Sequence, residues 1–313
     1  MSAAYRAPAW LPGGNLQTLY AALFPPPRPA LSRERWETPD GDFLDVDFAG
    51  PAAATRMVVL FHGLEGSSAS AYARATAAHF GARGWRCALP HFRGCSGEPN
   101  RLPRAYHSGD SDEIDWILRR LRAGRAAPVC AAGVSLGGNA LLKWLGERGA
   151  AAAEVVRCAA AVSAPVDLVA AGYALDRGFN RAVYARHFLK TMRRKALEKL
   201  RRFPGLYDAR RVGRARTLYE FDDLVTAPLH GFRSVRDYWT RASSAPWLER
   251  IRVPTLLLNA LNDPFLPAEA LRAATRRAAP DVVLEFPETG GHAGFPANPG
   301  WLPQRLDAFF SAE

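Results

Sequence analysis

A serine set between two glycines, directly after a run of small apolar residues, constrains this chain more than any other feature. Val129-Cys130-Ala131-Ala132-Gly133 has the length and composition of a short buried strand. Gly133-Val134-Ser135-Leu136-Gly137 follows at once, and residues 136–145 then carry a helical pattern. In a strand–turn–helix setting this G-x-S-x-G spacing has a mechanical meaning. The turn is so sharp that the serine backbone is strained, and the positions two before and two after it must be small. Gly138 adds room for the helix to pack close.

The surrounding pattern agrees with such a turn. Residues 44–48 alternate with period two, as an antiparallel strand near a sheet edge does. Residues 57–61, 86–90, 155–162, 253–259 and 282–286 are further strands. Between them fall helical stretches: 70–83, ending at Gly84, then 111–121 and 301–310. Ile114, Ile117, Leu118 and Leu121 form the apolar stripe of a surface helix, and Asp110 with Glu113 is placed to cap its start. Strand and helix in alternation imply a mostly parallel sheet covered on both faces.

Residues 166–245 break the rhythm. They hold no convincing strand, and instead helical, Arg-rich stretches with several aromatics. The expected organisation is a body of residues 1–165 and 246–313, with 166–245 as a helical cap inserted after the sixth strand. The formal charge of +11 belongs to this region: residues 176–216 hold 14 Lys and Arg against 3 Asp and Glu, which is already +11. Leu189, Met192, Ala196, Leu200 and Phe203 share one face of a basic helix there, a pattern that admits peripheral contact with anionic lipid through the cap. No aromatic–basic nucleic-acid motif accompanies it, so no nucleic-acid partner is expected.

Composition excludes other classes. With 48% hydrophobic and 23% charged residues, the chain has a full core and no disordered signature. No secretory leader and no apolar run of about 20 residues is present, which implies a cytoplasmic protein. Cys87, Cys95, Cys130 and Cys158 show neither CxxC nor metal-ligand spacing, and are expected as buried free thiols. Neither metal nor cofactor is called for.

A serine hydroxyl needs a base to become a nucleophile, and the base needs a carboxylate to orient it. Of the 7 histidines, His292 alone lies after the last strand and before the final helix, flanked by Gly290, Gly291 and Gly294. His62 and His91 end strands but precede Ser135, so hydrogen bonds that shape a pocket are expected of them; His79 reads as structural. Asp263, just past the strand 253–259, is the expected carboxylate, with Glu288 as its rival. Asp222 and Asp223 are read as ties between cap and body. The backbone N–H groups of Leu64 and Leu136 are the expected oxyanion donors.

Several stretches together resemble the YheT-like branch of the α/β-hydrolases. They include Trp10-Leu11-Pro12-Gly13-Gly14-Asn15-Leu16-Gln17-Thr18, His62-Gly63-Leu64-Glu65-Gly66, His91-Phe92-Arg93-Gly94, and Tyr106-His107-Ser108-Gly109. Further along come Glu220-Phe221-Asp222-Asp223, Asp263-Pro264-Phe265 and Gly290-Gly291-His292-Ala293-Gly294-Phe295. The resemblance runs through nearly the whole chain, with Val134 and Asn262 departing from the usual Tyr and Asp. It implies an α/β-hydrolase fold with an eight-stranded sheet, and it places Ser135, Asp263 and His292 at the triad positions. The expected substrate is a small-molecule carboxylic ester of short to medium acyl chain, or a lipid, cleaved through an acyl-enzyme. Transfer of the acyl group to an alcohol, or membrane or anion binding without turnover, are the alternatives.

Overall fold

The computed structural model describes residues 5–296 and 300–313. One sheet contains β1 (Ser32–Glu37), β2 (Phe43–Ala49), β3 (Met57–Phe61), β4 (Arg86–Pro90), β5 (Val129–Val134), β6 (Val156–Val162), β7 (Thr255–Leu258) and β8 (Val282–Glu285). The strand order is β1-β2-β4-β3-β5-β6-β7-β8. Pairings of β2 with β1 and with β4 are antiparallel; all others are parallel. The expected sheet is therefore present, with one refinement at its edge. β1 is exposed except at Trp36 and carries no apolar alternation, so periodicity does not announce it. It displaces β2 from the edge. Leu44, Val46 and Phe48 enter the core, while Asp45 and Asp47 on the other face accept paired bonds from Arg35 and Arg33 across β1.

The principal helices are α1 (Gly13–Leu23), α2 (Ala71–Ala82), α3 (Ser111–Arg122), α4 (Leu136–Arg148), α5 (Leu168–Leu175), α6 (Arg186–Arg202), α7 (Val235–Ala242), α8 (Ala268–Thr275) and α9 (Trp301–Ala312). Helices cover both faces because the pleat sends successive strand residues to opposite sides. Val59 and Phe61 of β3 pack in one cluster with α3 and α4; Val58 and Leu60 pack in another with Phe80 of α2 and Phe310 of α9. His79 ties those last two helices together through Asp307, at 2.8 Å.

The capping arrangement expected at α3 does not form. Arg104 takes the Asp110 carboxylate at 2.7 and 2.9 Å, and Arg93 takes Glu113 at 2.6 Å, so neither caps a helical N–H. A guanidinium outcompetes a neutral amide for a carboxylate. The four cysteines are free and buried.

Everything between β6 and β7 is helical or loop. The apolar face of α6 turns inward: Leu189, Met192 and Ala196 are buried in a cluster with Tyr184, Phe221 and Phe265. That face is consequently spent on packing and not presented to a lipid surface. No helix among the described residues is long and apolar enough to cross a membrane.

Candidate active site

Ser135 follows β5 and precedes the first residue of α4, with φ 54° and ψ −122°. This conformation is sparsely populated for a residue with a Cβ, and it lifts the side chain off the sheet edge. The small flanking residues have a steric reason. A Cβ on Gly133 would lie 2.4 Å from the Gly137 carbonyl oxygen, and one on Gly137 would lie 2.6 Å from the carbonyl oxygens of Phe61 and His62. Asn139, one turn into α4, is fully buried. It donates to the carbonyls of Ser108 and Ala242 and accepts from the Ser244 amide, anchoring the helix to the end of the helical insertion.

His292 Nε2 stands 2.9 Å from Ser135 Oγ. Its Nδ1 is 2.9 Å from one Asp263 oxygen and 3.2 Å from the other. A carboxylate only accepts, so Nδ1 carries the proton and Nε2 is left to receive one from the serine. Asp263 is buried, and its Oδ1 also accepts from the Phe265 amide at 2.8 Å. The Phe265 ring lies almost parallel to the imidazole, 3.9 Å between centroids. Glu288 is exposed and makes no bond to the imidazole.

The buttress of these two loops comes from the amino-terminal segment, which sequence reasoning did not assign a role. Thr18 Oγ1 accepts from the backbone N–H of His292 itself, at 2.8 Å, and donates to the Gly14 carbonyl at 2.7 Å. Gln17 Oε1 accepts from both Asn262 and the Gly290 amide, each at 2.9 Å, while Asn262 Oδ1 accepts from the Gly291 amide. The approach is close: a Cβ on Gly14 would meet the Asn262 carbonyl oxygen at 1.8 Å. The available signal was a pair of adjacent polar side chains, Gln17 and Thr18, in the middle of a helix without charged residues.

Backbone strain gathers here. Among the described residues, the non-glycine positions with positive φ are Glu65, Ser135, Ser163, Ala293 and Phe295. Ser163 follows β6 and its hydroxyl accepts from the Ala293 amide at 2.9 Å, so all five border the serine or the loop of His292. Such strain persists only where surrounding contacts over-determine it.

The loop after β3 lies against the serine; a Cβ on Gly63 would be 3.0 Å from the Ser135 Cβ. Its amides are committed on either side of Leu64: Gly63 donates to the Tyr72 hydroxyl and Glu65 to the Tyr106 hydroxyl. The Leu64 N–H has no acceptor among the described residues. Leu136 opens α4, so its N–H lacks an intrahelical acceptor. His62 and His91 act as the hydrogen-bonded supports expected. His62 donates from Nδ1 to the Gly63 carbonyl and accepts the Phe92 amide at Nε2; burial drives its pKa down to about 3, so it stays neutral. His91 holds Asp47 at 2.9 Å.

A cavity of about 600 Å³ opens from Ser135 and His292 against the helical insertion between β6 and β7. Leu168, Leu175, Met192, Phe221, Val225 and Trp239 supply apolar wall. On the opposite side α6 is tied to the body: Lys195 pairs with Glu65 at 2.9 Å, and Lys199 donates to Asn100 Oδ1 and to the carbonyls of Leu102 and Arg104. Asp222 and Asp223 do not make this tie. Asp222 accepts from Thr226 Oγ1 and Trp239 Nε1, and Asp223 from the Val235 amide, all within the helical insertion. Burial pushes the Asp222 carboxyl up to about 6.

The profile of a family described as alpha/beta hydrolase fold matches residues 56–299. YheT of Escherichia coli K12 is 41% identical over 268 residues, covering 84% of this chain and 78% of that protein. Human phospholipase ABHD3 is 29% identical over 302 residues, 93% of this chain and 73% of its own length. Among solved structures, an esterase from Exiguobacterium antarcticum superposes with a TM-score of 0.59 over 90% of this chain and all of its own, at 16% identity, a likeness of fold. Strand order, the strained serine at the end of β5 and the match across most of the chain lead to one assignment: the chain belongs to the alpha/beta hydrolase fold family, in its YheT-like branch.

Proposed function

We propose that this chain is a carboxylic ester hydrolase working through an acyl-enzyme on Ser135. The observation that carries the reading is the hydrogen-bonded series Ser135–His292–Asp263, with both links at 2.9 Å, at the end of a cavity with one apolar wall. His292 takes the Ser135 proton as Oγ attacks the acyl carbonyl. Asp263 holds the tautomer and stabilises the imidazolium. The N–H groups of Leu64 and Leu136 receive the oxyanion, the second helped by the positive end of α4. The imidazolium then protonates the leaving alcohol. Water, deprotonated by His292, releases the acid and restores the serine. Residues 1–165 and 246–313 act as the catalytic body, and 166–245 as a cap whose inner wall receives the acyl chain.

The substrate class follows from the wall. Leu168, Leu175, Phe221 and Val225 suit a short to medium acyl chain or a lipid ester. YheT is provisionally named an esterase and its human relative a phospholipase, which agrees with ester chemistry. The test is a fluorophosphonate probe with peptide mapping, beside an acyl-length series of chromogenic esters. Ser135 should be the labelled residue, and Ser135→Ala should lose labelling and about 10⁶ in kcat. A probe found on another serine, or turnover that survives Ser135→Ala, sinks the assignment. Added alcohol that diverts the product from acid to ester would favour acyl transfer over hydrolysis.

A further inference from the structure

Helix α1 is apolar on the wrong side for a helix packed on a protein body. Its buried residues are Gln17 and Thr18, which hold the loops of Asp263 and His292. Its outer side carries Leu16, Leu23 and Phe24 at 49%, 70% and 66% exposure, with Trp10 at 60% just before it. Trp10 packs edge-on to Tyr20, which in turn contacts Phe24. From residue 7 to residue 27 there is no Asp, Glu, Lys, Arg or His. Of the large apolar side chains exposed among the described residues, all but Val283 and Leu284 fall within residues 10–31 or at Phe179.

Phe179 extends this surface into the cap. It contacts Tyr184, whose hydroxyl donates to Asn15 of α1. It also sits between Gly178 and Arg181 of a groove lined by Arg181, Arg186, Arg193 and Arg216, with no acidic residue in its wall. None of these four arginines makes an ion pair among the described residues. Arg193 is aimed by the carbonyls of Leu189, Gly213 and Ala215. An uncharged ridge with Trp and Tyr beside arginines that form no salt bridge is the chemistry of an interfacial anchor: rings settle at the headgroup level while cations meet anionic lipid.

We infer that α1, Phe179 and this arginine groove form a docking surface for an anionic lipid bilayer. The cap's net charge of +11 over residues 176–216 supplies the complementary sign. Docking there sets the bilayer one helix diameter, about 10 Å, from the loop of His292, because α1 alone separates them. Ester drawn from the surface then has a short path to Ser135. The inference does not depend on turnover, since binding is measured without it.

The experiment is co-sedimentation of the full chain with vesicles of phosphatidylcholine containing about one-third phosphatidylglycerol, and with pure phosphatidylcholine, at low and roughly 0.15 M salt. Wild type should bind the anionic vesicles, less at higher salt. Leu23→Ser with Phe24→Ser should lower partitioning on the order of tenfold at either salt. Arg181→Gln, Arg186→Gln and Arg216→Gln together should lower it by about fivefold per charge, and only on anionic vesicles. Both variants should keep the wild-type circular dichroism spectrum and melting temperature, which report an intact fold. Failure of wild type to bind anionic vesicles at low salt overturns the proposal. So does a dimer in solution that Leu23→Ser with Phe24→Ser dissociates, since the ridge would then belong to a second copy of the chain.

Discussion

Thr18→Val isolates the buttress of His292 with little change of shape. Valine has nearly the volume of threonine, and both are β-branched, so helix propensity in α1 hardly changes. What is lost is one hydroxyl, which accepts from the His292 backbone N–H at 2.8 Å and donates to the Gly14 carbonyl at 2.7 Å. A buried amide left without an acceptor costs roughly 1–3 kcal/mol, here about 2 kcal/mol, since Thr18 is almost fully buried. At this chain length, with about 2.1 cal/mol/K of unfolding entropy per residue, that lowers Tm by roughly 3 °C. The catalytic effect is larger than the loss of stability suggests. The released amide belongs to the residue whose Nε2 faces Ser135, and a displacement of about 1 Å between reacting groups costs up to ~10² in rate. With a soluble chromogenic ester, kcat should fall about tenfold to a hundredfold, with KM within roughly twofold because the acyl wall is untouched. Thr18→Ser restores the hydroxyl and should restore kcat. A Thr18→Val protein that melts lower yet turns over at the wild-type rate would refute the positioning role. A Thr18→Ser protein as slow as Thr18→Val would refute it equally.

Other outcomes follow from the same geometry. Asp263→Asn should lower kcat by ~10⁴ while the fold persists, since the amide favours the wrong imidazole tautomer; Glu288→Gln, exposed and away from the imidazole, should leave kcat within roughly twofold. Asp222→Asn tests the half-buried carboxyl in the wall of the cavity. With its pKa raised to about 6 in the folded chain, Asp222 binds a proton more tightly folded than unfolded. Its contribution is therefore fully present below the unfolded value near 4, and is lost as pH rises through 6. Relative to Asp222→Asn, wild type should lose about 3 kcal/mol between pH 4 and pH 6, then run parallel above, by thermal melts across that window. A difference that stays flat over the whole range would show that the carboxyl is not held neutral by burial.

The residues now placed around Ser135 were legible in the sequence to different degrees, and the reason is chemical. A serine nucleophile demands glycines at fixed offsets, because the strand–helix turn leaves no space for a Cβ at 133 or 137. A base after the last strand and a carboxylate after the strand before it are required in a set chain order, so His292 and Asp263 stand out as residue types in particular loops. The strands of the core announced themselves by composition, since a strand buried on both faces has to be apolar throughout. β1 did not, because an edge strand held by Arg–Asp pairs need not be apolar at all.

Only the tertiary structure decided which partner each polar or apolar side chain would take. Asp110 and Glu113 had the spacing of a helix cap, yet two arginines from the preceding loops claim them. Asp222 and Asp223 tie the helical insertion to itself, and the apolar face of α6 turns to its core instead of outward. Gln17 and Thr18 reach groups 273 and 274 positions away. Local pattern reports what a residue needs: burial, a turn, a hydrogen-bond partner. It does not report which distant group will meet that need, because competition among acceptors and surfaces is settled only when the sheet and helices bring them within reach.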